Sequence, residues 1–252
     1  MNVLFSRQLG KGSPLVLLHG FCENHHIWDG FAEELAKYYH VIVFDLPGFG
    51  SSSLLSDDIS IDEVGARITQ ELNHLQITNS ILIGHSLGGY VALAMVTSSP
   101  LSFSGVILFH STSYADSEEK KRNRNKTIAF VQNHGVAPFV ETFVPELFRD
   151  KADLLIPFVQ KIALSTPIKT LIAYTKAMRD RPALSIKISE LNFPLLVLAG
   201  AYDTFIPLFD STEISKLSTH GTLTVLKNAA HVGMLEDQEV AIHAIKEFAK
   251  QL

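Results

Sequence analysis

The chain has 252 residues, 46% of them hydrophobic, and a formal net charge of −5. That length suits one large α/β domain or two small ones, and the apolar share supports a sizeable core without reaching a membrane-like composition. The mildly acidic balance argues against nucleic-acid binding, which calls for a basic face, and no run of about 18 uninterrupted apolar residues indicates a membrane span. The first residues, Met-Asn-Val-Leu-Phe-Ser-Arg, lack a basic region followed by an apolar stretch and a cleavage site, so a cytoplasmic protein is expected. The single Cys22 excludes an intramolecular disulfide framework and agrees with a reducing compartment.

Along the chain, short apolar runs alternate with amphipathic stretches. An extended segment, Val3 to Gln8, ends in the turn Gly10-Lys11-Gly12-Ser13-Pro14. Strands are predicted at Leu15–Leu18, His40–Phe44, Ser80–Ile83, Gly105–Phe109, Leu195–Leu198 and Leu223–Leu226. Helices are predicted around 27–38, 60–76, 87–98, 208–218 and 236–251. This alternation implies βαβ units, and hence a mostly parallel sheet with helices on both faces. The stretch 111–192 breaks the rhythm: it is helix-like, punctuated by prolines at 138, 145, 157, 167 and 182, and holds no convincing strand. It is too long for an ordinary connection. The expected organisation is therefore a core of residues 1–110 and 193–252, with 111–192 inserted as a helical cap over the sheet's C-terminal edge, where open α/β folds bind ligands.

Residues 80–90 read Ser-Ile-Leu-Ile-Gly-His-Ser-Leu-Gly-Gly-Tyr, which places Ser86 in a G-x-S-x-G pattern between an apolar strand and an apolar helix. A serine on so sharp a turn needs small neighbours two positions away. Its hydroxyl stands clear of the sheet, with the helix N-terminus aimed at any developing negative charge. Such a hydroxyl needs a positioned base, itself held by a third group. Of eleven histidines, His231 follows a late strand after the short turn Lys227-Asn228-Ala229-Ala230. His85 should point away across the elbow and His19 should tie its own loop, while His110, directly after its strand, stays a rival. Asp203, in the loop after Leu195–Leu198, can hold an imidazole in the needed tautomer, whereas Asp210 falls within the next helix. Oxyanion donors are expected from the Leu87 N–H and, after the turn at Gly20, from the Phe21 N–H. The neighbouring Cys22 reads as packing. The charged run Glu118–Lys126 reads as the solvated face of a helix, although over a pocket it would steer an anionic substrate.

Five segments together carry a family resemblance: His19-Gly20-Phe21, the turn Asp45-Leu46-Pro47-Gly48-Phe49-Gly50-Ser51-Ser52, the elbow Gly84–Gly89, Gly200-Ala201-Tyr202-Asp203, and Ala230-His231. The chain resembles an α/β-hydrolase of the small lid-bearing esterase, lipase and C–C hydrolase kind. The resemblance implies Ser86 as nucleophile, His231 as base, Asp203 as its orienting acid, and Phe21 and Leu87 as oxyanion donors. It implies no cofactor and no metal, and gives the Asp45–Ser52 turn a structural part only. A carboxylic-ester hydrolase acting on a small to medium apolar acyl or aryl ester is expected, with a small-molecule ester-like substrate as its partner and no oligomeric state implied. The same triad also serves C–C hydrolysis, lactone opening or elimination, and a hydrolase-like ligand receptor keeps such a pocket without rapid turnover. An arginine aimed into the pocket, from among Arg122, Arg124 and Arg179, would favour a carboxylate substrate. A dehalogenase is disfavoured, because that branch carries aspartate where this chain has Ser86.

Overall fold

The computed structural model describes residues 4–252, so the start of the predicted segment Val3–Gln8 lies outside the described residues. Strand β1 (Ser6–Leu9) is followed by β2 (Pro14–Leu18), a 3-10 turn over His25–Trp28, α1 (Phe31–Leu35), β3 (His40–Phe44) and α2 (Ile61–His74). Then come β4 (Ser80–His85), α3 (Leu87–Ser98) and β5 (Phe103–Phe109). Five helices follow without an intervening strand: α4 (Glu118–His134), α5 (Val136–Glu146), α6 (Ile156–Leu164), α7 (Ile168–Asp180) and α8 (Ser185–Leu191). The alternation resumes with β6 (Leu195–Gly200), α9 (Leu208–Ser215), β7 (Gly221–Leu226), α10 (Gly233–Glu236) and α11 (Gln238–Ala249).

The seven strands form one sheet in the order β1-β3-β2-β4-β5-β6-β7. Only β1 runs antiparallel, with Ser6 opposite Phe44; the other neighbours are parallel, as in Leu17 beside Ile83 and Ile83 beside Ile107. A central parallel strand is covered on both faces and reads as a continuous apolar run, and all six residues of β4 are buried. Helices α2 and α3 pack together, as do α1 and α11, covering the two faces of the sheet. Helix α3 is buried along almost its whole length, which explains why it is apolar all round rather than striped. The predicted helix at 27–38 is the one element that differs clearly. Gly30 sits at φ 79° and splits it into the 3-10 turn and the short α1, because a positive φ cannot propagate an α-helix.

Candidate active site

The elbow between β4 and α3 is built by close backbone approach. Ser86 has φ 48° and ψ −111°, in a region that non-glycine residues rarely occupy and that tends to mark functional sites. A Cβ at Gly84 would overlap the Gly88 carbonyl, and one at Gly88 would overlap the carbonyl of Leu18. The strained turn is pinned by its neighbours: the Ser86 N–H donates to the Phe109 carbonyl at 2.9 Å, and the Ser111 hydroxyl donates to the Ser86 carbonyl at 2.7 Å.

Three side chains from loops at the C-terminal ends of β4, β6 and β7 meet here. His231 Nε2 lies 3.0 Å from Ser86 Oγ, and His231 Nδ1 lies 2.7 Å from Asp203 Oδ2. A Cβ at Gly200 would overlap the Ala230 carbonyl, so this glycine lets the acid loop and the histidine loop touch. Asp203 is fully subscribed as an acceptor. Its Oδ1 takes the Phe205 and Ile206 N–H groups at 2.8 and 3.0 Å, and its Oδ2 takes His231 and, at 3.3 Å, His110 Nδ1. Burial alone would raise this carboxyl, but the charge attraction of His231 and the hydrogen bonds from His110 and His231 outweigh it and hold Asp203 well below the usual carboxylate range. With Asp203 ionised, His231 keeps its proton on Nδ1 and presents Nε2 as an acceptor to Ser86.

The rival histidines have other places. His110 lies behind Asp203, not at Ser86; burial, against the pull of Asp203, pushes it down to about 4, so it is neutral and braces the acid loop. His19 donates from Nδ1 to the Gly20 carbonyl at 2.8 Å and accepts the Leu46 N–H at Nε2 at 2.9 Å, fastening its loop to the turn at Asp45–Ser52. Asp210 lies within α9. Cys22 is buried, and burial pushes its thiol up well above the usual range, which leaves it unreactive.

His85 and Glu23 form a pair that the sequence did not announce, since a contact 62 residues apart leaves no local trace. His85 Nδ1 meets Glu23 Oε2 at 2.9 Å, and His85 Nε2 meets the His231 carbonyl at 2.7 Å. Both partners are acceptors, so both ring nitrogens must donate and the ring is an imidazolium. Burial by itself would lower His85, yet Glu23 and the His231 carbonyl raise it; burial would raise Glu23, yet the His85 charge lowers it. The same Glu23 oxygen accepts the Gly20 N–H at 2.6 Å, so one buried ion pair ties the Phe21 loop, the elbow and the histidine loop together. The His85 contribution is present below its ordinary value of 6.5 and lost as pH rises through the higher folded value, while the Glu23 contribution is present above 4.5 and lost as pH falls through the lower folded value. Glu23→Gln strands a buried cation and is expected to cost about 3–5 kcal/mol near pH 6, read by urea denaturation. The gap from wild type should narrow at acid pH, where Glu23 itself is protonated; a gap independent of pH contradicts the ion-pair assignment.

A cavity of about 290 Å³ opens at Ser86 and His231. Phe21, Phe143 and Phe205 supply an aromatic wall, with Phe205 and His231 ring centroids 5.0 Å apart and Phe21 and Phe143 6.1 Å apart. The Phe21 and Leu87 N–H groups, on the loop after β2 and at the first residue of α3, donate to no protein acceptor among the described residues. Tyr90, Thr204 and Ile206 add to the wall, and the segment between β5 and β6 supplies the rest of it and also touches the histidine loop. The Leu147 carbonyl accepts the His231 N–H at 2.9 Å, and the Glu236 carboxylate accepts both the Arg149 and Ala230 N–H groups at 2.7 Å. Among the described residues no cluster of His, Cys, Asp or Glu has the makings of a metal site, and no helix is long and apolar enough to cross a membrane.

This fold, with a strained serine elbow at the end of the fourth strand, defines a hydrolase class. The chain belongs to the alpha/beta hydrolase fold family, whose model matches residues 13–238. An esterase from Thermogutta terrifontis, solved with malate bound, superimposes with a TM-score of 0.93 at 28% identity, covering 98% of this chain and 93% of that one. The 3-oxoadipate enol-lactonase 2 of Acinetobacter baylyi is 23% identical over 244 residues, 94% of this chain and 88% of the relative. The pimeloyl-(acyl-carrier protein) methyl ester esterase of Aliivibrio fischeri is 24% identical over 268 residues, 98% of each chain.

Proposed function

We propose that the chain is a serine hydrolase of carboxylic esters, with Ser86 as nucleophile, His231 as general base and Asp203 as the acid that orients it. The observation that carries this reading is the unbroken hydrogen-bonded series from Ser86 Oγ through the His231 ring to Asp203, at 3.0 and 2.7 Å. As Ser86 Oγ attacks the ester carbonyl, its proton passes to His231 Nε2, and the carbonyl oxygen gathers negative charge facing the Phe21 and Leu87 N–H groups. Collapse breaks the bond to the alkoxide, which leaves as the alcohol with the proton from His231. Water, deprotonated by His231, then attacks the acyl-enzyme and releases the acid and a regenerated Ser86. Residues 111–192 act as the lid, and Phe21, Phe143 and Phe205 favour an apolar acyl or aryl group beside the reacting carbon. A lactone offers the same electrophile, and the enol-lactonase among the relatives keeps ring opening as the second reading.

A panel of methyl and p-nitrophenyl esters of graded acyl length, with lactones and vinylogous diketones beside them, tests the proposal. Multiple turnover of the shorter esters is expected. Turnover of a diketone with every ester inert would move the chemistry to C–C cleavage, and saturable binding with no turnover of any member would favour a receptor.

A further inference from the structure

Helix α4 carries the charged run Glu118–Lys126 and is polar on nearly every side, with Val131 its one buried residue. Lys120, Asn123, Arg124 and Thr127 fall on successive turns of one face, and that face forms a wall of the cavity that contains Ser86. Among the described residues lining this cavity Asp116 is the one carboxylate, and it is already matched. Buried Arg181 donates to Asp116 Oδ1 at 2.7 Å, to the Tyr114 carbonyl at 3.0 Å and to the Met178 carbonyl, and its guanidinium lies 4.0 Å over the Tyr90 ring. That network orients Asp116 so that its Oδ2 receives Arg124 Nε at 3.1 Å, holding the Arg124 side chain over the cavity. The two terminal nitrogens of Arg124 and the Lys120 ammonium meet no protein acceptor among the described residues. A guanidinium with its shaft fixed and its fork left open suits a planar oxyanion.

We propose that this wall is an anion subsite, and that the substrate class is an ester bearing a carboxylate or phosphate group at a distance from the scissile carbonyl. The proposal rests on the reading of Ser86 as the nucleophile for where the ester sits, and adds what the other end of the substrate must be. The aromatic wall takes the apolar part beside the reacting carbon, while Lys120 and Arg124 take the charged end. The expected substrate is therefore amphiphilic, apolar beside the reacting carbon and charged at its far end, rather than the purely apolar ester expected from the sequence.

Binding to Ser86→Ala protein separates the subsite from the chemistry. Calorimetry would compare methyl half-esters of straight-chain dicarboxylic acids with esters of equal length ending in a neutral carboxamide, and with phosphonate-ended counterparts. An anionic end is expected to tighten binding by about tenfold or more. The better of carboxylate and phosphonate names the source, and the preference should shrink with added salt and in Lys120→Gln. Arg124→Gln should erode it further, with Lys120→Gln as the variant that disturbs no internal contact. Equal affinity for charged and neutral ends, including no detectable binding of either, overturns the subsite. So does a preference that neither variant reduces. Failure of the nucleophile reading would appear instead in wild-type turnover, which this binding measurement does not use.

Discussion

Replacing Ser86 with alanine is expected to lower kcat for any ester the wild-type protein hydrolyses by about 10⁴-fold or more, with the fold unchanged. Alanine keeps the Cβ, so the strained backbone at φ 48° bears the same load before and after. The substitution removes one hydroxyl whose hydrogen-bond partner is the side chain of His231, and the elbow remains pinned through the backbone contacts of residue 86 with Phe109 and Ser111. Thermal unfolding should shift by about 1 kcal/mol or less. Residual catalysis above the uncatalysed rate should persist, because the Phe21 and Leu87 N–H groups, the proposed oxyanion donors, remain in place. A variant that retains wild-type kcat removes Ser86 from the chemistry.

Asp203→Asn is the second large effect, and its cause lies in proton placement. Four donors converge on the carboxylate: two backbone N–H groups on Oδ1 and two histidine Nδ1 atoms on Oδ2. An asparagine offers one oxygen and one NH₂. Its oxygen is claimed by the Phe205 and Ile206 N–H groups, which cannot turn away, so the NH₂ faces His231 and His110. His231 must then accept at Nδ1 and carry its proton on Nε2, where it can no longer take one from Ser86. A fall in kcat of about 10⁴-fold is expected with KM little changed. Ser86 would remain in place, so reaction with a fluorophosphonate should slow rather than vanish. A variant within a few-fold of wild type would mean that Asp203 does not set the tautomer of His231.

Much of this architecture is legible in the residues themselves. Strands such as Ile81–Ile83 are apolar on both faces because helices cover both faces of the sheet, and the turns that follow them contain the glycines that close approach demands. Ser86, Asp203 and His231 could be picked out because each follows a strand and the sheet aligns strand ends at one edge. What the sequence hides is contact between loops. Glu23 and His85 look like unrelated polar residues until the fold buries them against each other, and His110 gains its place through Asp203 and through the backbone of Gly200 and Gly233, contacts that span distant parts of the chain. The run Glu118–Lys126 was hidden for another reason. The run is polar all round and has no stripe to reveal which side faces inward, so the presence of Lys120 and Arg124 on the cavity wall depends on how α4 is set against α7, where Arg181 follows the last turn. Gly30 shows the reverse case, a residue that looked tolerable within a helix but whose positive φ ends it.

If Ser86 is the activated nucleophile proposed here, a fluorophosphonate reports on it directly. Intact mass after incubation should rise by one phosphonyl group per chain, the adduct should map to the peptide containing Gly84–Tyr90, and ester turnover should fall in proportion to labelling. No adduct on the folded protein, or an adduct at any other residue with turnover lost, would contradict this role for Ser86.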